Sequence, residues 1–199
     1  MIIVGLTGSI AMGKSETARM FRARGVPVFD ADAAVHAVYA PGGAAVADVL
    51  QRFPQSRSVQ GGIDRAALSK QVLADPTTLT ELENLVHPHI RRLQAEFLTE
   101  ARRGDHRLVV IDHPLLFETG GDKAVDVIIV VSAPEEVQRA RALTRPGMSA
   151  EKLAAILARQ LPDAEKRTRA DYIIDTSRGL PDAEAQVSRL IETLTQADH

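Results

Sequence analysis

Five short apolar runs punctuate the chain: Ile2–Leu6, Val26–Phe29, Leu108–Ile111, Val125–Val131 and Tyr172–Ile174. They are rich in β-branched residues, and helix-like mixtures of polar and apolar positions separate them. Largely apolar runs of this length read as strands buried on both faces, the mark of a parallel sheet with crossover helices. The pattern predicts an α/β protein with a three-layer α/β/α core around a five-stranded parallel sheet. Between Phe29 and Leu108 no run reads as a strand. Residues 33–105 carry helical patterning, with turns marked by Pro41-Gly42-Gly43 and Gly61-Gly62. Residues 140–170 are again helical and rich in Arg and Lys. The expected organisation is a core of residues 1–32, 106–139 and 171–199 with helical lobes inserted at 33–105 and 140–170.

Helix starts are signposted. Ser132-Ala133-Pro134-Glu135 reads as a capping box with Pro inside the first turn. Ser149 and Asp163 read as N-caps, as does Asp30. His87-Pro88 interrupts a helical stretch, with His87 capping and Pro88 opening a new helix.

Composition narrows the class. Of 199 residues, 45% are hydrophobic and 25% charged, the balance of a globular chain that can bury a core. A formal net charge of -2 gives no reason to expect nucleic acid as the main partner. Zero cysteines remove disulfides, thiolate metal sites and a cysteine nucleophile. The apolar opening before Gly8 is too short for a signal-peptide core or a membrane span. A cytoplasmic protein without membrane attachment, and with no obligatory protein partner, is expected.

The chemistry enters at Gly8-Ser9-Ile10-Ala11-Met12-Gly13-Lys14-Ser15, which satisfies G-x-x-x-x-G-K-[ST] between the first strand and a helix running from Lys14 through Phe21. Such a phosphate-binding loop (P-loop) curls its backbone so that successive N–H groups meet phosphate oxygens, and the helix N-terminus adds partial positive charge. Lys14 is expected to bridge the β- and γ-phosphates and Ser15 to ligate Mg²⁺. The amides of Gly8, Ile10, Ala11, Met12, Gly13, Lys14, Ser15 and Glu16 are the expected ATP contacts. A chance match in a chain this long is on the order of 1%, so an accidental glycine turn is set aside.

The acceptor side is carried by carboxylates at strand ends. Asp30-Ala31-Asp32 closes the second strand, and the carboxyl ends of parallel strands form the ligand crevice. Asp32 is the candidate general base for an attacking hydroxyl, with a helix-capping role as the plain alternative. Asp112 ends the third strand, where a carboxylate holds Mg²⁺ directly or through water. Arg141 and Arg145 share one helix face and are candidates to stabilise charge on the transferring phosphate, against a reading as a solvated basic face. Arg141 is placed among the catalytic residues with Lys14 and Asp32, and Arg145 among the ATP contacts. Leu115 and Phe117 are either core or the apolar wall of an acceptor pocket, and His87 either a cap or an acceptor contact.

Together these residues resemble the dephospho-coenzyme A kinase family. The similarity runs from Met1 to about Gly179. It includes Gly5-Leu6-Thr7-Gly8 into the loop, Asp30-Ala31-Asp32 and Gly62-Ile63-Asp64-Arg65. Leu82-Glu83 with His87-Pro88 and Pro114-Leu115-Leu116-Phe117-Glu118 follow. Arg141 with Arg145, Gln160, Lys166 and Ala170-Asp171 through Ile174-Asp175 complete it. His-Pro followed by Pro-Leu-Leu-Phe-Glu is its more specific part, since many kinases share the loop. The resemblance implies a P-loop kinase core, a helical lobe at 33–105 for the coenzyme A substrate and a mobile lid at 140–170. It also implies ATP as donor, Mg²⁺ as cofactor and the ribose 3′-hydroxyl of dephospho-coenzyme A as acceptor. In the family the carboxylate matching Asp32 is the favoured base, and the residues matching Arg141 and Arg145 contact phosphates. The chain departs from the family pattern at Ser9 and Ala11, where glycines are usual, and at Glu16, His113 and Thr176-Ser177-Arg178-Gly179. Another small-molecule or nucleoside monophosphate kinase with the same loop is the alternative.

Overall fold

The computed structural model describes residues 1–72 and 75–196. Their helices and strands fall into two compact units, Met1–Phe29 with the described residues from Ala101 on, and Asp30–Glu100.

The first unit is built on a parallel sheet of five strands: β1 (Ile2–Thr7), β2 (Val28–Asp30), β3 (Leu108–Asp112), β4 (Val127–Ser132) and β5 (Tyr172–Asp175). Their order is β2-β3-β1-β4-β5. The apolar runs form strands because both faces are covered: Val4, Leu6, Val109, Val110, Ile129, Val130 and Val131 have no solvent exposure (0%). Each such side chain contributes about 1.5–3 kcal/mol relative to an exposed one. The register pairs Ile2 with Leu108 and Val4 with Val127. Helix α1 (Lys14–Ala23) packs Ala18, Met20 and Phe21 into this core.

Two strand starts fall later than the apolar runs suggest. Val26 donates its N–H to Phe21 O at 3.2 Å, closing the end of α1, and Pro27 has no N–H to give to a ladder. The ladder bond here is from Val110 N to Pro27 O, 2.9 Å. Asp126 clips onto Ile3 with its own N–H and its carboxylate, both at 2.8 Å, so β4 begins after it. At the other end β1, β3, β4 and β5 run on to Thr7, Asp112, Ser132 and Asp175. These polar residues mark the carboxyl edge of the sheet. β1 has β3 on one side and β4 on the other, so the chain changes direction across β1, where α/β sheets hold their ligands.

The second unit is helical: α2 (Ala31–Tyr39), α3 (Val46–Arg52), α4 (Arg65–Val72) and the first part of α5 (Pro76–Arg103). Its own core gathers Val38, Val49, Phe53, Leu68, Leu82 and Val86. Beyond Asp30 at the end of β2, the β-structure among its described residues is a single antiparallel bridge between Arg57 and Ile63. Asp30 caps α2 by accepting from Ala33 N at 2.9 Å, as its position suggests. The break expected at His87-Pro88 does not occur, and α5 passes straight through Pro88. The missing N–H leaves Asn84 O without its helical donor. The apolar stripe of Leu82, Leu85, Val86, Ile90 and Leu93 continues across the proline at helical spacing, and its burial outweighs that loss.

Past β4 come α6 (Glu135–Leu143), α7 (Ala150–Leu157) and α8 (Asp163–Thr168), and after β5 comes α9 (Leu180–Gln196). Ser149 caps α7 as expected, accepting from Lys152 N at 3.2 Å. The capping box at 132–135 is not formed. Pro134 precedes α6 without a side-chain cap, and Ser132 Oγ instead donates to Asp163 Oδ2 at 2.7 Å. Asp163 is consequently inside the first turn of α8, with Pro162 at the cap position. Among the described residues no helix is long and apolar enough to cross a membrane.

Candidate active site

The loop between β1 and α1 is shaped by two glycines with separate reasons. A Cβ on Gly8 would lie 2.6 Å from Val131 O, so only glycine lets the chain leave β1 against β4. Gly13 has φ +97° and faces Thr176, whose Cγ2 would be 3.1 Å from any Cβ at this position. A left-handed residue at this point turns the chain into α1. No side chain caps the first turn of α1. Its leading amides are therefore left for a ligand, with the positive end of the helix dipole behind them.

Lys14 opens α1 and reaches across to β3, where its Nζ pairs with Asp112 Oδ1 at 2.5 Å. Asp112 is 4% exposed and its carboxylate meets this ammonium at the carboxyl edge of the sheet. The two residues expected to handle the γ-phosphate and its metal are thus in direct contact. Hard oxygen donors suit Mg²⁺, which keeps several waters and takes one or two protein ligands beside phosphate oxygens. Asp112 and the Ser15 hydroxyl fit that role. Among the described residues no group of three or more His, Asp or Glu could hold a metal.

The arginine pair lies on the same unit. Arg141 donates from Nη1 to Thr176 Oγ1 at 2.8 Å and from Nη2 to Thr176 O at 2.7 Å. Thr176 Oγ1 in turn donates to Met12 O in the loop at 2.8 Å. Arg141 is therefore wired to the loop through Thr176. Arg145 joins Arg141, Gly13, Glu16 and Thr176 around a cavity of about 250 Å³. Glu16 pairs with Arg19 on the exposed surface of α1 at 2.9 Å, an arrangement that contributes little to stability. Ala11 has φ +63° and packs with Ala142 and Leu153. Its methyl group is buried among protein atoms.

A buried ion pair braces the segment after β3. Lys166 is 0% exposed, and its Nζ lies 2.8 Å from Glu118 Oε1 and 3.2 Å from Pro114 O. Glu118 Oε1 also accepts from Leu161 N at 2.7 Å. Burial pushes the Glu118 pKa up, but the hydrogen bonds from Lys166 and Leu161 outweigh it and hold the carboxyl below its ordinary value. Phe117 is 7% exposed, with the Arg169 guanidinium 4.3 Å over its ring, so it is packed in the core; Leu115 is 36% exposed.

The structure thus gathers Gly8, Ile10 to Glu16, Asp112, Arg141 and Arg145 on the first unit. Asp32 and His87 belong to the second. Asp32 is exposed in the first turn of α2, and His87 is exposed on α5 rather than capping it. Gln138 escaped the sequence reading, which noted Thr176 only as a departure from the family pattern and missed its link between Arg141 and the loop. Gln138 and Arg141 are three apart on one face of α6, while Arg145 lies in the turn after the helix ends at Leu143, so the two arginines do not share a helix face as expected. Thr176 follows β5 directly and had only that position as a signal.

Comparison with known proteins bears on the family and the fold. The family model described as dephospho-CoA kinase matches residues 2–182. The dephospho-CoA kinase of Rhodopseudomonas palustris (strain BisB18) is 52% identical over 191 residues, covering 96% of this chain and 94% of that protein. That of Mesorhizobium japonicum is 52% identical over 194 residues, covering 98% and 97%. A crystal structure of a Thermus thermophilus protein superposes with a TM-score of 0.85 at 33% identity, covering 96% of each chain. The dephospho-CoA kinase structure from Campylobacter jejuni, 23% identical with a TM-score of 0.66 over 98% of each chain, shares the fold. A match of this extent, together with half-identical relatives of the same length, places the chain in the dephospho-CoA kinase family.

Proposed function

We propose that this chain transfers the γ-phosphoryl group of ATP to the ribose 3′-hydroxyl of dephospho-coenzyme A, giving coenzyme A and ADP, the last step of coenzyme A synthesis. ATP is the co-substrate of a kinase of this family. The reaction is assigned to the cytoplasm, where ATP is supplied. The observation that carries the proposal is the Lys14–Asp112 contact beneath an uncapped helix N-terminus, at the carboxyl edge of a parallel sheet.

The loop amides and Lys14 would hold the β- and γ-phosphates, so that charge spreading over the equatorial oxygens meets donors already in place. Mg²⁺, held by Asp112 and Ser15, would supply charge neutralisation at the bridging oxygens. Asp32 would accept the proton of the attacking 3′-hydroxyl. Its exposure leaves the carboxylate open to that contact. Arg141 and Arg145 would add positive charge on the side of the loop facing the 250 Å³ cavity. Residues 140–170 would act as a lid and 33–105 as the acceptor lobe, with His87 and Leu115 as acceptor contacts on their exposed faces. Phe117 would support that wall from within the core.

The test is mass analysis of the product after incubation with ATP, Mg²⁺ and dephospho-coenzyme A. A gain of one phosphoryl group on the 3′-oxygen is expected. ADP release with shikimate or a nucleoside monophosphate, and none with dephospho-coenzyme A, would overturn the assignment.

A further inference from the structure

Ile10, the third residue of the loop, is held at both ends. Its N–H donates to Gln160 Oε1 at 3.1 Å, and its C=O accepts from Gln138 Nε2 at 2.9 Å. The two glutamines come from different segments. Gln138 is buried on α6 (6% exposed), while Gln160 lies in the turn beyond α7. Apolar contact follows the same line, for Ala11 packs with Ala142 of α6 and Leu153 of α7.

A trans peptide is planar, so its C=O and the next residue's N–H point in opposite directions. Pulling Ile10 O towards Gln138 therefore turns the Ala11 N–H the other way. By the same rule, tying Ile10 N–H to Gln160 turns Ser9 O away, and Ser9 O accepts from Met12 N inside the turn at 3.2 Å. Among the described residues the Ala11 N–H meets no acceptor. Ala11 also sits at φ +63°, which an L-residue leaves readily unless its neighbours are fixed. An amide without a partner, in a loop whose amides grip phosphate, is a donor kept for an anion.

We propose that Gln138 and Gln160 are positioning residues for the triphosphate: by fixing the two peptide planes of Ile10, they aim the Ala11 N–H at a phosphate oxygen. This rests on the assignment of the loop to ATP. Gln160 also makes the hold depend on the segment after α7, so the loop's grip and the placement of that segment are linked.

The test compares wild type with Gln138→Met, which keeps the side chain's length and removes the amide. Affinities for ATP, inorganic tripolyphosphate and AMP are measured by calorimetry with Mg²⁺, alongside the melting temperature. ATP and tripolyphosphate affinity should each fall about tenfold, the lower end of what one hydrogen bond to a charged group supplies. AMP affinity and the KM for the acceptor should hold steady while the KM for ATP rises. Gln160→Met, on a less buried turn, should show the same pattern at about threefold, and it carries the test if Gln138→Met does not fold. Unchanged tripolyphosphate affinity in folded variants overturns the proposal. So does an equal loss for AMP, which would mean general loosening. A wild-type protein that binds AMP but neither ATP nor tripolyphosphate overturns the assignment of the loop itself and removes the proposal with it.

Discussion

Cutting either half of the Lys166–Glu118 pair should destabilise the protein by clearly different amounts. The pair ties three segments of the first unit: Pro114 and Glu118 after β3, Leu161 before α8, and Lys166 in α8. Lys166 is 0% exposed, whereas the Glu118 side chain keeps 18% of its surface. Glu118→Ala strands the ammonium with Pro114 O as its remaining acceptor. Breaking a buried pair in this way costs about 3–5 kcal/mol. Lys166→Met leaves a carboxylate that still accepts from Leu161 N and reaches water, so solvent screening reduces the loss to about 1–2 kcal/mol. At about 2–4 °C per kcal/mol for a chain of this size, melting should fall roughly 6–20 °C and roughly 2–8 °C respectively. Calorimetry at several pH values adds a second readout. The Glu118 pKa is lowered in the folded state, so its contribution is fully present above the unfolded value of about 4.3 and is lost as pH falls through the lower folded value. The Lys166→Met deficit should therefore shrink in acid below about pH 4. The reverse order of the two variants, or a deficit that grows in acid, would refute the reasoning.

Other substitutions test the site piece by piece. Asp32→Asn removes a proton acceptor without changing shape, so turnover should fall by about 10²–10⁴ with ATP affinity unchanged; a rise in acceptor KM alone would make Asp32 a binding residue. Thr176→Val breaks the relay from Arg141 to Met12 O, and a loss of about 1–2 kcal/mol is expected with weakened ATP binding, read by thermal melts with and without nucleotide. Ala11→Gly relieves about 1–2 kcal/mol of left-handed strain. It gives up about 0.8 kcal/mol of buried methyl and about 0.4–1 kcal/mol of chain entropy. The terms cancel to within about 0.8 kcal/mol, so its melting temperature should stay within about 3 °C of wild type.

The sheet was legible because its evidence is local. Each strand is built on a short apolar run, and the loop motif between β1 and α1 follows from eight consecutive residues. Errors arose where a residue's partner lies elsewhere. Ser132 has the spacing of a cap with Glu135, but its hydroxyl finds Asp163, 31 residues on. His87-Pro88 has the local signature of a helix boundary, yet a stripe of buried and partly buried side chains on both sides of the proline carries the helix through. Gln138 and Thr176 touch Ile10 and Met12 across 128 and 164 positions of sequence. No periodicity reports such contacts.

The same distinction explains how the loop tolerates residues other than glycine. Where the obstacle is a fixed backbone atom, as at Gly8 against Val131 O, any side chain would have to displace a strand, and glycine stands there. Where the constraint is conformational, as at Ala11, the left-handed backbone costs an alanine about 1–2 kcal/mol. Neighbours can offset a cost of that size. Burial of the methyl against Ala142 and Leu153 does so in part, and the hydrogen bonds on either side of Ile10 hold the preceding peptides in place. A loop that delegates its shape to surrounding helices gains a dependence on them that a fully glycine-built loop lacks. Rearrangement of α6 or of the turn after α7 would then alter the amides that meet phosphate, without any change in the loop's own sequence.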